Sequence, residues 1–246
     1  MTERSGQTVV LTGAAGGMGR AITKALLDSG RRVVLVDRDA KALEALAATA
    51  GDAVFPIRLD VSDAKAVDRL PDAIPGHFKP VDVLINNAGH DIGGRTRFDI
   101  GAADDWSNII QTNLIGLMRV TRAILPGMVQ RNAGHVVNIS SINAVRIVPD
   151  MAAYSTSKAG VHMFTETLRG ELADTAIRVT ELQPGLTRTN IILTRYRGDQ
   201  QKEKEYFDQF RMALDPADIA RSIVFALDQP AHVQIAEMMI LPVNRY

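Results

Sequence analysis

Tyr154 and Lys158 stand four residues apart in the run Tyr154-Ser155-Thr156-Ser157-Lys158. On a helix, that spacing puts both side chains on one face. A phenol is a poor acid or base at neutral pH, but a fixed ammonium beside it favours the phenolate and draws its pKa toward the working range. The two together could exchange a proton with a substrate oxygen. Taken alone they read better as a surface pair, so the chemistry needs support from elsewhere in the chain.

That support begins at Thr12-Gly13-Ala14-Ala15-Gly16-Gly17-Met18-Gly19. Glycines in a strand-to-helix turn let the backbone bend sharply and aim amide N–H groups, with the helix N-terminus, at a phosphate. An ordinary connecting loop is the plain alternative. Asp37 lies 18 positions after Gly19, near the ~20 at which an acidic side chain meets an adenosine ribose. Its carboxylate repels a 2′-phosphate, and positions 14 to 18 hold no Lys or Arg to attract one. NAD is therefore the expected cofactor and NADP the less favoured one, although the adjacent Arg38 guanidinium could accommodate a phosphate. Asp37 could instead cap the helix that follows it.

These residues need a scaffold. Short apolar runs rich in β-branched residues, at 8–11, 33–36, 54–57, 81–85, 136–139, 177–182 and 238–241, alternate with segments of helical period such as 21–27, 41–48 and 217–227. The alternation predicts an α/β fold in three layers, a doubly wound parallel sheet with helices on both faces and its crevice at the carboxyl ends of the strands. No linker or repeat interrupts it, so residues 1–246 read as one domain. The stretch from Gly185 to about residue 215 breaks the rhythm with Thr187, Arg188, Thr189, Arg195, Tyr196, Arg197 and a charged run from Asp199 to Glu205. A long polar insertion beside a crevice reads as a substrate lid.

Composition excludes several classes. Lys plus Arg and Asp plus Glu both number 28, so the formal net charge is zero and neither a nucleic-acid nor an anionic membrane partner is expected. The absence of cysteine removes disulfides, thiolate metal sites and Cys nucleophiles. The five histidines show no close-spaced metal-ligand pattern, and no metal is expected. No apolar run approaches the ~18 residues of a membrane span. The short polar stretch before the first strand lacks the apolar segment of a signal peptide, which makes a cytoplasmic location the expectation.

Thr12-Gly13-x-x-x-Gly17-x-Gly19, Asn86-Asn87-Ala88-Gly89, Asn113, Ser140-Ser141, Tyr154-x-x-x-Lys158 and Pro184-Gly185 occur in the order and spacing of the short-chain dehydrogenase/reductase family. The chain resembles that family over essentially its whole length. The resemblance implies a Rossmann-type fold and hydride transfer between a nicotinamide cofactor and an alcohol or carbonyl. It implies Tyr154 as acid/base, Lys158 on the nicotinamide ribose, and Ser141, thirteen positions before Tyr154, holding the substrate oxygen while Ser140 faces away. Asn113 would kink its helix and continue a proton relay from the lysine. For the cofactor it implies Gly13, Gly16, Gly17, Met18 and Gly19 at the pyrophosphate, Asp37 at the ribose, and Asp60 and Val61 near the adenine. Asn87, Pro184, Gly185, Thr187 and Thr189 would complete the cofactor site. A homo-tetramer or dimer is also implied, built on the long helices near Asn113 and Tyr154.

Leu125-Pro126-Gly127-Met128, Pro230-Ala231-His232-Val233 and Glu237-Met238-Met239 resemble the bacterial branch of 3-hydroxy acid and serine dehydrogenases. That branch commonly uses NADP, with a basic residue where this chain has Asp37. An anionic substrate needs a fixed cation, preferably arginine. Candidates are Arg146, Arg95, Arg188, Arg195 and Arg197, with His90 and Asp91 near the mouth. Each reads equally as a solvated loop charge or loop cap. Together they point to a small hydroxy compound bearing a carboxylate, sulfonate or phosphate. The alternatives are an NADP-dependent reductase of neutral ketones or amino alcohols, and an NAD-binding sensor without turnover. His162 is expected to pack beneath the Tyr154 face.

Overall fold

In a computed structural model, which describes residues 6–243, the chain builds one seven-stranded parallel sheet. The strands are β1 (Thr8–Thr12), β2 (Arg32–Asp37), β3 (Val54–Arg58), β4 (Val83–Asn86), β5 (Gly134–Ile139), β6 (Ile177–Pro184) and β7 (Glu237–Ile240). Their order is β3-β2-β1-β4-β5-β6-β7. The helices are α1 (Gly17–Asp28), α2 (Ala40–Ala50), α3 (Ala64–Asp68), α4 (Leu70–Ala73), α5 (Ala103–Ile110), α6 (Leu117–Arg131), α7 (Ala152–Glu171), α8 (Ile191–Arg195), α9 (Gln200–Asp208) and α10 (Pro216–Leu227). A wider π-turn, Gln111–Gly116, joins α5 to α6.

Side chains alternate across each strand, so every central strand feeds two cores. Val10, Leu84 and Val136 pack with Val120, Ile124 and Met128 of α6 and Leu168 of α7 on one face. Val9, Leu11, Ile85 and Val137 pack with Ile22 and Leu26 of α1 and Ile219 and Ile223 of α10 on the other. This is why the strand runs lack the polar alternation of a solvated sheet. The direction of winding reverses between β1 and β4, and there the carboxyl ends of the strands open a crevice.

Four helices begin on an aspartate that accepts from a backbone amide of the first turn: Asp39 for α2, Asp63 for α3, Asp199 for α9 and Asp215 for α10. Asp37 is therefore not the cap of the helix after β2; that position is taken by Asp39. Residues 185–215 are also more ordered than a polar insertion suggests, since α8 and α9 lie inside them.

One buried polar ladder crosses the sheet beneath the crevice. Asn86 Nδ2 donates to Asn138 Oδ1 and to Thr121 Oγ1, both at 2.9 Å, and Asn138 Nδ2 donates to Thr165 Oγ1 at 2.9 Å. It ties β4, β5, α6 and α7 together where hydrophobic contact alone would leave their register free. Asn138→Ala strands two buried partners, and chemical denaturation should show a loss of about 2 kcal/mol; an unchanged midpoint would contradict the ladder's role.

Candidate active site

A cleft of about 700 Å³ runs along the carboxyl ends of the strands, from the glycine turn after β1 to the first turns of α7. At the turn, two glycines are required by space. A Cβ on Gly19 would fall 2.1 Å from the Gly13 carbonyl oxygen, and one on Gly13, whose φ is +66°, would fall 2.9 Å from the Ala88 Cα. The helix behind them, α1, opens on Gly16 with no side chain bonded to its first amides. The donors that an aspartate covers at α2, α3, α9 and α10 thus face the cleft, the arrangement that receives an anion. Gly13, Gly16, Gly17, Met18 and Gly19 all line it.

Asn87 braces the turn from β4. Its Nδ2 donates to the carbonyl oxygens of Thr12 and Gly13 at 3.1 and 3.0 Å, while Thr12 Oγ1 accepts from the amides of Asn87 and Ala88. At the end of β2, the Asp37 carboxylate accepts from the Ala15 amide at 2.9 Å and from the Asp39 amide at 3.0 Å. These bonds fix a negative charge at the rim of the glycine turn. Asp60 and Val61 line the same end, with Asp60 accepting from the Ser62 amide and hydroxyl at 2.9 and 2.7 Å. Burial works to raise the Asp60 pKa, but the Ser62 bonds and the Arg38 charge outweigh it and hold the carboxyl below its usual value. At the other end, β6 delivers Pro184, Gly185, Thr187 and Thr189 to the lining.

The α7 residues come together as their spacing predicts. Tyr154, Lys158 and Ser141 line one wall. Lys158 is 6% exposed, its Nζ donates to the Ile139 carbonyl at the end of β5 at 2.9 Å, and it stands 5.8 Å from the Tyr154 ring centroid. Ser141 Oγ accepts from the Asn143 amide at 3.2 Å and hydrogen-bonds the phenol. Ser140 turns its hydroxyl to the Lys158 carbonyl at 3.2 Å, as strand-end alternation predicts.

The electrostatics differ from the simple expectation. Burial pushes the Tyr154 phenol up to about 12, and the Asp91 carboxylate adds to that, against smaller opposing effects of the Ser141 hydroxyl and Arg195. Burial likewise lowers Lys158 to about 8, with Glu181 and Asp91 holding it up. The ammonium is itself desolvated, so in the ligand-free protein the phenol keeps its proton at neutral pH.

Asn113 is fully buried at the centre of the π-turn. It clasps His90 from both sides, accepting from its amide and donating to its carbonyl, each at 2.9 Å, and donates to Ser157 Oγ at 3.1 Å. It does not line the cleft; it fixes the loop after β4 against α7. The His90 ring lines the cleft but is tied to its own surroundings, with Nε2 3.3 Å from Thr112 Oγ1 and Nδ1 accepting from the Ile92 amide. Burial lowers its pKa, followed by the Arg38 charge.

Among the five candidate arginines for the substrate, Arg195 and Arg95 line the cleft. Three do not: Arg188 is exposed and lies over the Phe207 ring at 4.7 Å, exposed Arg146 points its Nη2 toward the Met239 sulfur at 3.7 Å, and Arg197 lies outside the lining. Arg197 pairs with Asp105 at 2.7 Å on the surface. Arg195 is different: it is 5% exposed, its Nε and Nη2 both lie 2.7 Å from Asp91 Oδ2, its guanidinium stacks over Tyr206 at 4.9 Å, and its Nη1 has no partner. Burial raises Asp91 to about 6 despite the guanidinium. Asp91 was legible only as a loop residue, because its partner lies 104 positions away. Tyr206 of α9 and Phe210, just past its end, also line the cleft; their signal in the sequence is a pair of aromatics four apart in a charged stretch.

Comparison with known proteins agrees with this geometry. A short chain dehydrogenase family model matches residues 7–200. The NADP-dependent 3-hydroxy acid dehydrogenase of Escherichia coli strain K12 is 36% identical over 239 residues, 96% of this chain and 95% of that protein. The NADP-dependent 3-hydroxy acid dehydrogenase of Schizosaccharomyces pombe is 36% identical over 250 residues, 98% and 95% of the two chains. Among solved structures, a closed form of serine dehydrogenase complexed with NADP+ superposes with a TM-score of 0.93 at 34% identity, covering 96% of this chain and 95% of that one. A glycine turn shaped for an anion, a buried lysine beside a protonated phenol, and these likenesses lead to one conclusion: the chain belongs to the short-chain dehydrogenase family.

Proposed function

We propose that the protein moves a hydride between NAD(H) and a small secondary alcohol or ketone that carries an anionic group, a 3-hydroxy acid or sulfonate in type. The observation that carries this reading is one cleft holding Ser141, Tyr154 and Lys158 at one end and a glycine turn at the other, with Arg195, whose buried Nη1 has no hydrogen-bond partner, in its lining. The dinucleotide fits the chain's own shape: the turn has no room for a Cβ at Gly13 or Gly19, and α1 presents open amides. The nicotinamide supplies or takes the hydride, and its oxidised ring brings a positive charge to the site.

In the reduction direction, Tyr154, which holds its proton in the ligand-free protein, donates it to the carbonyl oxygen. The Ser141 hydroxyl holds that oxygen by a hydrogen bond. Lys158 keeps one donor on Ile139 and offers the others to the ribose. In oxidation the proton returns to Tyr154. Arg195 receives the carboxylate or sulfonate, since a buried guanidinium with a free N–H is costly until an acceptor arrives. Residues 185–215 act as a lid, their helices bringing Arg195, Tyr206 and Phe210 over the substrate. The NAD preference rests on Asp37, held at the turn by two backbone amides where a 2′-phosphate would meet its charge. The relatives named above are NADP-dependent, and Asp37 sets this chain against them.

Absorbance of the reduced cofactor tests the reading with a panel of 3-hydroxy acids, hydroxy sulfonates, amino alcohols and neutral secondary alcohols. The Tyr154→Phe variant should keep its affinity for NADH while turnover falls about 10³-fold; a near-normal rate would refute the acid/base role. Arg195→Lys keeps the charge but loses the fork, and should lower kcat/KM for anionic substrates at least tenfold while neutral alcohols change little. Equal losses for both classes would show that Arg195 does not read the anion. Finally, kcat/KM should be at least tenfold higher with NADH than with NADPH, and Asp37→Asn should narrow the gap; a preference for NADPH in the unmodified protein overturns the cofactor assignment.

A further inference from the structure

Past the catalytic face, α7 carries a second group of polar side chains away from the cleft. His162 and Glu166 lie one helical turn apart on α7, Glu181 lies in β6, and Glu237 lies in β7 as the register partner of Glu181. One ligand-capable atom from each of the four falls within 4.8 Å of all the others. None of the four lines the cleft.

Glu181 is the observation that separates this group from an ordinary acidic patch. It is fully buried, its Oε2 lies 2.7 Å from His162 Nδ1, and its Oε1 has no hydrogen-bond partner. A buried carboxylate oxygen without a donor is expensive, and its carboxylate belongs to the ring formed by the other three ligands. The positive charge nearby is already committed: the Lys158 ammonium, whose charge also meets Glu181, bonds the Ile139 carbonyl. Arg169 bonds Glu166, and it also donates to the carbonyl oxygens of Val179 at 3.1 Å and Ala236 at 2.9 Å. Glu166 and Glu237 face each other in this group with no cation between them.

We propose that His162, Glu166, Glu181 and Glu237 bind one divalent transition-metal cation, with Zn2+ the best match, clipping α7 to the β6–β7 edge of the sheet. One imidazole and three carboxylates form a mixed nitrogen and oxygen set of four, the number a structural zinc site uses, and the chain offers no thiolate to favour a softer ion. With bonds of about 2.1 Å, tetrahedral ligand atoms stand about 3.4 Å apart. The group needs only a small contraction from its present spread, and rotation of the partly exposed His162 and Glu166 and the exposed Glu237 supplies it. Binding replaces the hydrogen bond between His162 and Glu181 and brings positive charge to the buried Glu181 carboxylate.

The test uses the full chain, stripped of metal by chelator and titrated with Zn2+ alone. One Zn2+ per chain after dialysis and a Tm that rises with Zn2+ concentration are expected. His162→Gln and Glu237→Gln should each weaken binding at least tenfold, while His232→Gln, at an exposed histidine elsewhere, should not change it. X-ray absorption at the zinc edge of the unmodified protein reads the ligand set without any substitution and should show nitrogen and oxygen ligation including one imidazole. Less than one Zn2+ per chain, ligation without imidazole, or equal affinity in the His162→Gln and Glu237→Gln variants would overturn the site.

Discussion

The structure turns on a single buried ammonium. Lys158 is almost sealed from solvent, and its one direct protein bond is to the last carbonyl of β5. An ammonium in such a place must be held by oriented dipoles and nearby carboxylates, because burial alone drives it toward the neutral form. The surrounding elements supply that support: β5 ends where its carbonyl can accept, α7 starts where the lysine can reach it, and Glu181 and Asp91 add compensating charge from two sides. The position of Tyr154 follows, since one helical turn separates the phenol from the ammonium.

Charge burial continues toward α8. Asp91 and Arg195 form an ion pair in which both side chains are nearly inaccessible, an arrangement that seldom adds stability over apolar packing. Its value lies in placement: the pair links the loop after β4 to α8, and the Arg195 fork keeps one donor in reserve. The Asn113 clasp on the His90 backbone does similar work at lower electrostatic cost, using neutral groups whose hydrogen bonds are all made. Asn113 thus fixes one side of the cleft with neutral groups, while Arg195 fixes the other with a buried charge pair.

Sequence periodicity is reliable where burial on both faces sets the residue type. The apolar runs that became β1, β2, β4, β5 and β6 are buried on both faces, so they had no other stable place than a sheet covered by helices. The segment around α8 and α9 was less legible because its helices are short and their polar composition hides the few side chains, such as Tyr206 and Phe210, that turn inward. Asp37 shows the same limit on a smaller scale: a strand-end aspartate suits both a cap and a ribose, and only the presence of Asp39 at the N-terminus of α2 removes the first reading.

The amino-acid sequence by itself determined the layered α/β architecture, the glycine turn and the placement of Tyr154 beside Lys158, because each rests on neighbours within a few positions and on local backbone geometry. Tertiary structure alone decided which arginine turns inward, that Asn113 supports the cleft without lining it, and that His162 meets three glutamates from a helix and two strands. It also decided the protonation of the phenol, which depends on how deeply Tyr154 and Lys158 are buried together. Desolvation and long-range pairing are properties of the packed whole, and no spacing along the chain encodes them.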